Sequence, residues 1–305
     1  MIASVGESLV DFTPVAAGGR LDGFRVHPGG SPYNVAVGIA RLGHPAAFAG
    51  RLSGDLFGRL LAAHLSDCRV SGHLAVDGAE PTALAFVAEA DGEPVYDLRL
   101  AGTAAERLRP GDLPAAAFAR LEAVHFGSLG LLLQPAREAV LGLARALRGG
   151  PLLSFDPNIR PGAVADWASY RTALDEAVRL ADLVKASEAD LAAWGADPTP
   201  ASDQALVVTM GARGSRLVQG SRTVACPAAP CRLVDTVGAG DAYMAGLLVA
   251  LAERMALDRP ALGALADADW LAVMRFASVA AALTCERAGA DPPPRADVEA
   301  RLAVW

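Results

Sequence analysis

Residues Asp235-Thr236-Val237-Gly238-Ala239-Gly240-Asp241 set a glycine-lined turn and a carboxylate directly ahead of the apolar run AYMAGLLVALA. Small side chains leave the N–H groups of such a turn unshielded, and the start of a helix adds positive potential to them. The turn is an anion hole, and Asp241 stands at its lip as a proton acceptor. Phosphoryl transfer from a nucleotide to a hydroxyl needs this pairing, because donors must hold the charged equatorial oxygens while a base takes the hydroxyl proton. The residues therefore point to a kinase for a small molecule. A plainer pattern fits the same residues, since Asp caps helix starts and Gly suits turns. Company elsewhere in the chain separates the two.

A frame must gather that company. Ile2-Ala3-Ser4-Val5 reads as a first buried strand that Gly6 ends, and a helix starts near Ser31 with Pro32 at its first position and stops at Gly43. AAFAGRL reads as a strand and LFGRLLAAHL as a helix. Thr82 to Ala88 and Pro94 to Leu100, joined by Asp91-Gly92, read as a hairpin. From about Glu122 the pattern alternates: AVHF, PAREAVLGLARAL, LLSF, a helix from Asp166 to Leu180, LVKAS, then ALVVT. Pro292 to Pro294 form a stiff stop before a terminal helix. Short apolar runs separated by helices predict an α/β fold with a mainly parallel sheet covered on both faces. Ligands then sit beyond the carboxyl ends of the strands, where DPNIR, SEAD and TMGARG fall.

Composition narrows the partners. The 305 residues are 52% hydrophobic and carry a formal charge of −7, which gives no basic face for nucleic acid. Apolar runs such as AGLLVALA fall short of a membrane span, and the start has no basic, then apolar, leader pattern, so a cytoplasmic protein is expected. Cys68, Cys226, Cys231 and Cys285 lack metal-type spacing and are expected as free thiols, and His125 as a packed core residue.

The ordered blocks GESLVDF, GGSPYNVAVGIARLG, GDLFG, PTALAFV, HFGSL, SFDPNIRP, LVKASEAD, VVTMGARGS and DTVGAGDAYMAGLL cover most of the chain. In them it resembles the ribokinase (PfkB-type) family of carbohydrate kinases, and within that family the bacterial fructokinases. The resemblance implies one catalytic domain over 1–305, with a three-layer αβα Rossmann-like core and a small β-sheet lid formed by about 12–27 and 80–102. It implies ATP-dependent transfer to a primary hydroxyl of a monosaccharide, D-fructose first, with Mg²⁺ and a monovalent cation such as K⁺ as further requirements. Asp241 matches the catalytic base, and Gly238, Ala239 and Gly240 the anion hole. Asp11, Gly29, Gly30, Asn34 and Arg160, together with Asp241, match the sugar site. Asn158, Lys185, Ser187, Thr209, Gly211 and Gly214 match the nucleotide side, and Asp190 a water-mediated Mg²⁺ contact. Exposed lid strands also make a homodimer an expectation.

Departures from the family pattern bear on the substrate. Val237 stands where a second Thr is common, and SEAD stands where Asn-x-x-Glu is usual. Before Gly102 the fructokinase lid is usually aromatic with an Arg, whereas this chain reads Leu98-Arg99-Leu100-Ala101. Arg99 either supplies that cation or faces solvent. A sugar-acid kinase, for 2-keto-3-deoxygluconate, and a non-catalytic sugar sensor are the rival readings.

Overall fold

The computed structural model describes residues 1–17, 20–90, 93–195, 200 and 203–305. In chain order the first part comprises β1 (Ile2–Val5), β2 (Leu9–Ala17), β3 (Arg20–Gly29), α1 (Ser31–Arg41), β4 (Ala46–Ala49), β5 (Arg51–Ser53), α2 (Leu56–Asp67), β6 (Val76–Gly78), β7 (Ala83–Ala90) and β8 (Glu93–Arg99). The middle comprises β9 (Ala123–Gly127), α3 (Leu129–Leu132), α4 (Ala136–Leu147), β10 (Leu152–Asp156), α5 (Trp167–Leu180), β11 (Leu183–Ser187), α6 (Glu188–Trp194) and β12 (Ala205–Thr209). The last part comprises β13 (Ser215–Gln219), β14 (Arg222–Cys226), α7 (Ala239–Glu253), α8 (Arg259–Ala264), α9 (Asp267–Cys285) and α10 (Arg295–Leu302).

The main sheet has the order β14-β13-β12-β11-β10-β9-β1-β4. From β4 to β12 every pairing is parallel, as the alternating sequence requires. Beyond β12 it turns antiparallel. The sheet is thus mainly parallel, as expected, with an edge that was not read from the sequence; its signal was Gly220-Ser221: Gly220 takes φ 57, so a two-residue turn closes β13 onto β14 with Gln219 opposite Arg222. Strand side chains alternate between faces. Ile2, Leu152, Leu183 and Val207 join the core under α1, α7 and α9, while Ala3, Val124, Leu153 and Val184 join the core under α4 and α5. Helices thus cover both faces, giving the three-layer α/β/α architecture.

By length and composition α9 could cross a membrane. Its Trp270, Val273, Met274 and Ala277 are instead buried in the core shared with α7, and a helix apolar on most sides is the expected occupant of such an interior.

A separate four-stranded sheet has the order β3-β2-β7-β8, starting at Leu9, slightly before the predicted boundary. The Asp91-Gly92 turn expected between β7 and β8 lies outside the described residues. On one face Leu9, Asp11, Ala85 and Leu98 look into a cavity. On the other Phe12 stacks on Phe86 at 4.9 Å between centroids and meets Phe57 of α2 edge-on.

Candidate active site

Two helices converge to make the centre of the site. A Cβ on Gly38 of α1 would lie 2.8 Å from the Ala245 Cβ of α7, so only glycine lets the helices approach this closely. One turn nearer the N-terminus of each helix, Asn34 faces Asp241. Asn34 Nδ2 donates to Asp241 Oδ2 at 2.8 Å, and Ser31 Oγ donates to Asp241 Oδ1 at 2.7 Å. Asp241 is buried yet lines a cavity of about 190 Å³. Its carboxylate is oriented by both oxygens, and the remaining lone pairs are available to a hydroxyl in the cavity. Gly30 precedes α1 with φ 104, and a Cβ there would lie 2.7 Å from the Glu7 carbonyl.

The glycine turn meets this carboxylate from the other side. Gly238 adopts φ 77, and a Cβ there would sit 2.6 Å from that of Ala290. Asp235 shapes the turn, accepting from Val237 N at 3.0 Å and Gly289 N at 2.8 Å. Ala239 differs from the expectation: its N–H donates to the Thr236 carbonyl at 3.2 Å and it does not line the cavity. Among the described residues the N–H groups of Gly238, Gly240 and Asp241 have no protein acceptor, and all three residues line the cavity.

Besides Asp241, the predicted residues that line the cavity are Asp11, Gly30, Asn34, Asn158, Arg160, Gly238 and Gly240. Asn158 Oδ1 accepts from Arg160 Nη1 at 2.7 Å, and Asn158 N donates to Asp156 Oδ1 at 3.3 Å. Gly29 serves indirectly, because a Cβ there would come 2.1 Å from Asp11 Oδ2. Gly29→Ala is therefore expected to turn the Asp11 carboxylate away and raise the sugar KM with little change in kcat, as steady-state kinetics would show.

Glu7, which sequence reasoning did not single out, also lines the cavity. It accepts from Ser31 N and Gly130 N, each at 3.2 Å, and so ties the starts of α1 and α3 together. Its only signal was its place in GESLVDF, two residues past the end of β1.

The remaining predicted residues lie outside the cavity lining. Thr209, Gly211 (φ 57) and Gly214 (φ 89) sit at and just after the carboxyl end of β12. Ser187 caps α6, accepting from Asp190 N at 3.0 Å. Asp190 differs from the Mg²⁺ expectation: one oxygen accepts from Ile159 N at 2.7 Å and the other from Ser187 N at 2.8 Å, so this buried carboxylate fastens the DPNIR loop to α6. The Ser187 hydroxyl also donates to it at 2.5 Å, and no metal-type carboxylate, His or Cys cluster occurs among the described residues. Lys185 differs as well. It is buried away from the cavity, with Nζ 2.6 Å from Asp156 Oδ2 and 3.3 Å from the Gly240 carbonyl oxygen. Arg99 faces solvent, paired with the exposed Asp97.

Burial dominates the electrostatics. It pushes Glu7, Asp11 and Asp156 each up to about 7; the nearby Asp241 charge adds to all three, and Lys185 opposes the rise at Asp156. Between the ordinary carboxylate range and about 7 the folded protein binds more protons than the unfolded chain, so raising pH costs stability. Surface acids held low by arginines, such as Glu80 and Glu286, act in the opposite sense at lower pH, and His125, pushed down to about 3 by burial, acts in that sense up to the ordinary imidazole value of 6.5, as do His27 and His64, which burial also lowers. Above the ordinary imidazole value the carboxylates act alone, so the ligand-free protein is expected to melt at a lower temperature at pH 8 than at pH 6.5, with Glu7→Gln reducing the slope; thermal unfolding across that range is the check.

Comparison with known proteins agrees with this geometry. The model of the pfkB family of carbohydrate kinases matches residues 1–296. Fructokinase-1 of Oryza sativa subsp. japonica is 35% identical over 316 residues, covering 98% of this chain and 96% of the relative. The structure of a Xylella fastidiosa fructokinase with bound ATP gives a TM-score of 0.89 at 26% identity, covering 99% of this chain and 98% of that one. A Vibrio cholerae fructokinase holding fructose, ADP and calcium gives 0.85 at 28% identity, with the same coverage of 99% and 98%. With the family model spanning almost the whole sequence and a relative alike along nearly its full length, the chain belongs to the pfkB family of carbohydrate kinases.

Proposed function

We propose that this ATP-dependent sugar kinase transfers the γ-phosphoryl group to a primary hydroxyl of D-fructose, with Asp241 as general base. The observation that carries the reading is the meeting, in one small cavity, of a carboxylate oriented through both oxygens and backbone amides without protein acceptors. The sugar hydroxyl lies against Asp241, which takes its proton as the oxygen attacks phosphorus. The amides of Gly238, Gly240 and Asp241 offset charge gathering on the transferred group. Asp11 accepts two further sugar hydroxyls and fixes which one faces the base. The four-stranded sheet, as a lid, excludes water once sugar is bound. Mg²⁺ would arrive on the ATP phosphates, a binding mode that asks few carboxylates of the protein.

Fructose is favoured over a sugar acid by the charges of the wall. Glu7, Asp11 and Asp241 line the cavity, and Arg160 is the cation among the described lining residues, while Arg99 is turned to solvent. A substrate carboxylate would meet three acids there. The names of the relatives point the same way, including the neighbour that holds fructose with ADP. Oriented base and available amides favour catalysis over a sugar sensor. A panel of neutral sugars and sugar acids with Mg-ATP, read by ADP release, is expected to give its highest kcat/KM with D-fructose. A faster sugar acid would overturn the substrate, and calorimetric sugar binding without ADP from any of them would overturn the enzyme.

A further inference from the structure

Beneath the glycine turn lies a buried cation that does not reach the cavity. Lys185 projects from β11 toward α7, and its Nζ contacts the Gly240 carbonyl oxygen at 3.3 Å and Asp156 Oδ2 at 2.6 Å. The fit is close, since a Cβ on Gly240 would lie 3.0 Å from that nitrogen. Taking an ammonium out of water is costly even when it is paired, and an apolar residue at this place would spare that cost. The charge therefore calls for a use.

The contact itself supplies one. The carbonyl of Gly240 and the N–H of Asp241 belong to one peptide group, and that N–H has no protein acceptor among the described residues. A cation on the oxygen side polarises the peptide and strengthens its N–H as a donor. The unit charge also adds to the positive end of the α7 dipole. On its other side Lys185 is tied through Asp156 to Asn158 N, and Asn158 in turn holds Arg160 in the lining of the cavity.

We propose that Lys185 is a positioning residue for phosphoryl transfer: from below, it polarises the Gly240–Asp241 peptide and couples it through Asp156 to the Asn158–Arg160 wall. This rests on the reading of the glycine turn as the phosphoryl site. Lys185 does not line the cavity, so its effect falls on kcat rather than on the sugar KM.

Two variants of the full chain test it, each read by steady-state kinetics with D-fructose and by thermal melting. Lys185→Met leaves Asp156 buried without its partner and is expected to lower the melting temperature. Adding Asp156→Asn removes the stranded charge, and the melting temperature is expected to recover. In both variants kcat is expected to fall roughly 10- to 100-fold, less than the roughly 10²–10³-fold for deleting an oxyanion-hole donor outright, with fructose KM nearly unchanged. A purely structural lysine predicts instead that kcat recovers along with the melting temperature in the double variant, and that result would overturn the proposal. A wild-type chain that releases no ADP with any sugar would instead remove the assigned reaction on which the role depends, a failure distinguishable from the first.

Discussion

Asp241→Asn lowers kcat by about 10²-fold or more, on the usual scale of general-base effects, and leaves sugar affinity within a few-fold of wild type. The substitution is nearly isosteric, so α1 and α7 keep their contact at Gly38 and Ala245. One oxygen of the new amide still accepts a hydrogen bond from Ser31 or Asn34, the two groups that orient the wild-type carboxylate. The other atom becomes an NH₂ facing a donor, a cost in orientation that also falls on turnover. What is lost outright is a group able to take the proton of the attacking hydroxyl. In the proposed reading sugar binding draws mainly on Asp11, and so persists. Paired measurements decide it: turnover from ADP release and sugar affinity from calorimetry. An Asn variant with near-native turnover, or one that fails to bind sugar, removes Asp241 from the role of base.

The pattern of success in reading the sequence has a physical explanation. Elements whose signal is local were legible: the β1 run, the Pro32 start of α1, the Asp166 cap of α5 and the strands flanking α4 and α5 all appear where short-range chemistry puts them. His125 is buried as expected, with its ring nitrogen 3.0 Å from Ser154 Oγ. The site was legible wherever backbone geometry demands a residue type, as at Gly30 and Gly238 with their positive φ. It was not legible where a role depends on what lies opposite in space. Ser31 and Glu7 act through contacts 210 and 123 residues away, and nothing beside them in sequence announces those partners. Lys185 and Asp190 sit on a family block that resembles a nucleotide and Mg²⁺ region, yet folding turns both inward. Ala239 was read as a donor because it lies between two glycines, but its N–H is consumed in closing the turn.

Asp11→Asn is the change expected to act most strongly on sugar binding, and it carries a pH signature of its own. Hydrogen bonds to a charged group contribute about 1.5–3 kcal/mol, so losing the charged acceptor raises the sugar KM by roughly 10- to 150-fold. Burial first, and the Asp241 charge second, push this carboxyl up to about 7 in the ligand-free protein. Only the ionised form accepts two sugar hydroxyls. Because kcat/KM reports the ionisations of the free enzyme, it should fall as pH drops below about 7, and Asp11→Asn should flatten that limb. Glu7 is raised to a similar value by the same cause, but its oxygens accept from Ser31 and Gly130, so its protonation disturbs helix placement before sugar contact. A limb that survives unchanged in the Asp11 variant therefore transfers the titration to Glu7. Stability should move the other way. At pH 8 the native carboxylate is ionised against the cost of burial, so the neutral amide is expected to raise the melting temperature of the ligand-free protein even as it weakens the sugar. Opposite signs in the two measurements would mark a charge retained for its ligand at the expense of the fold. A variant that loses stability at pH 8 along with affinity would make Asp11 a structural acid instead.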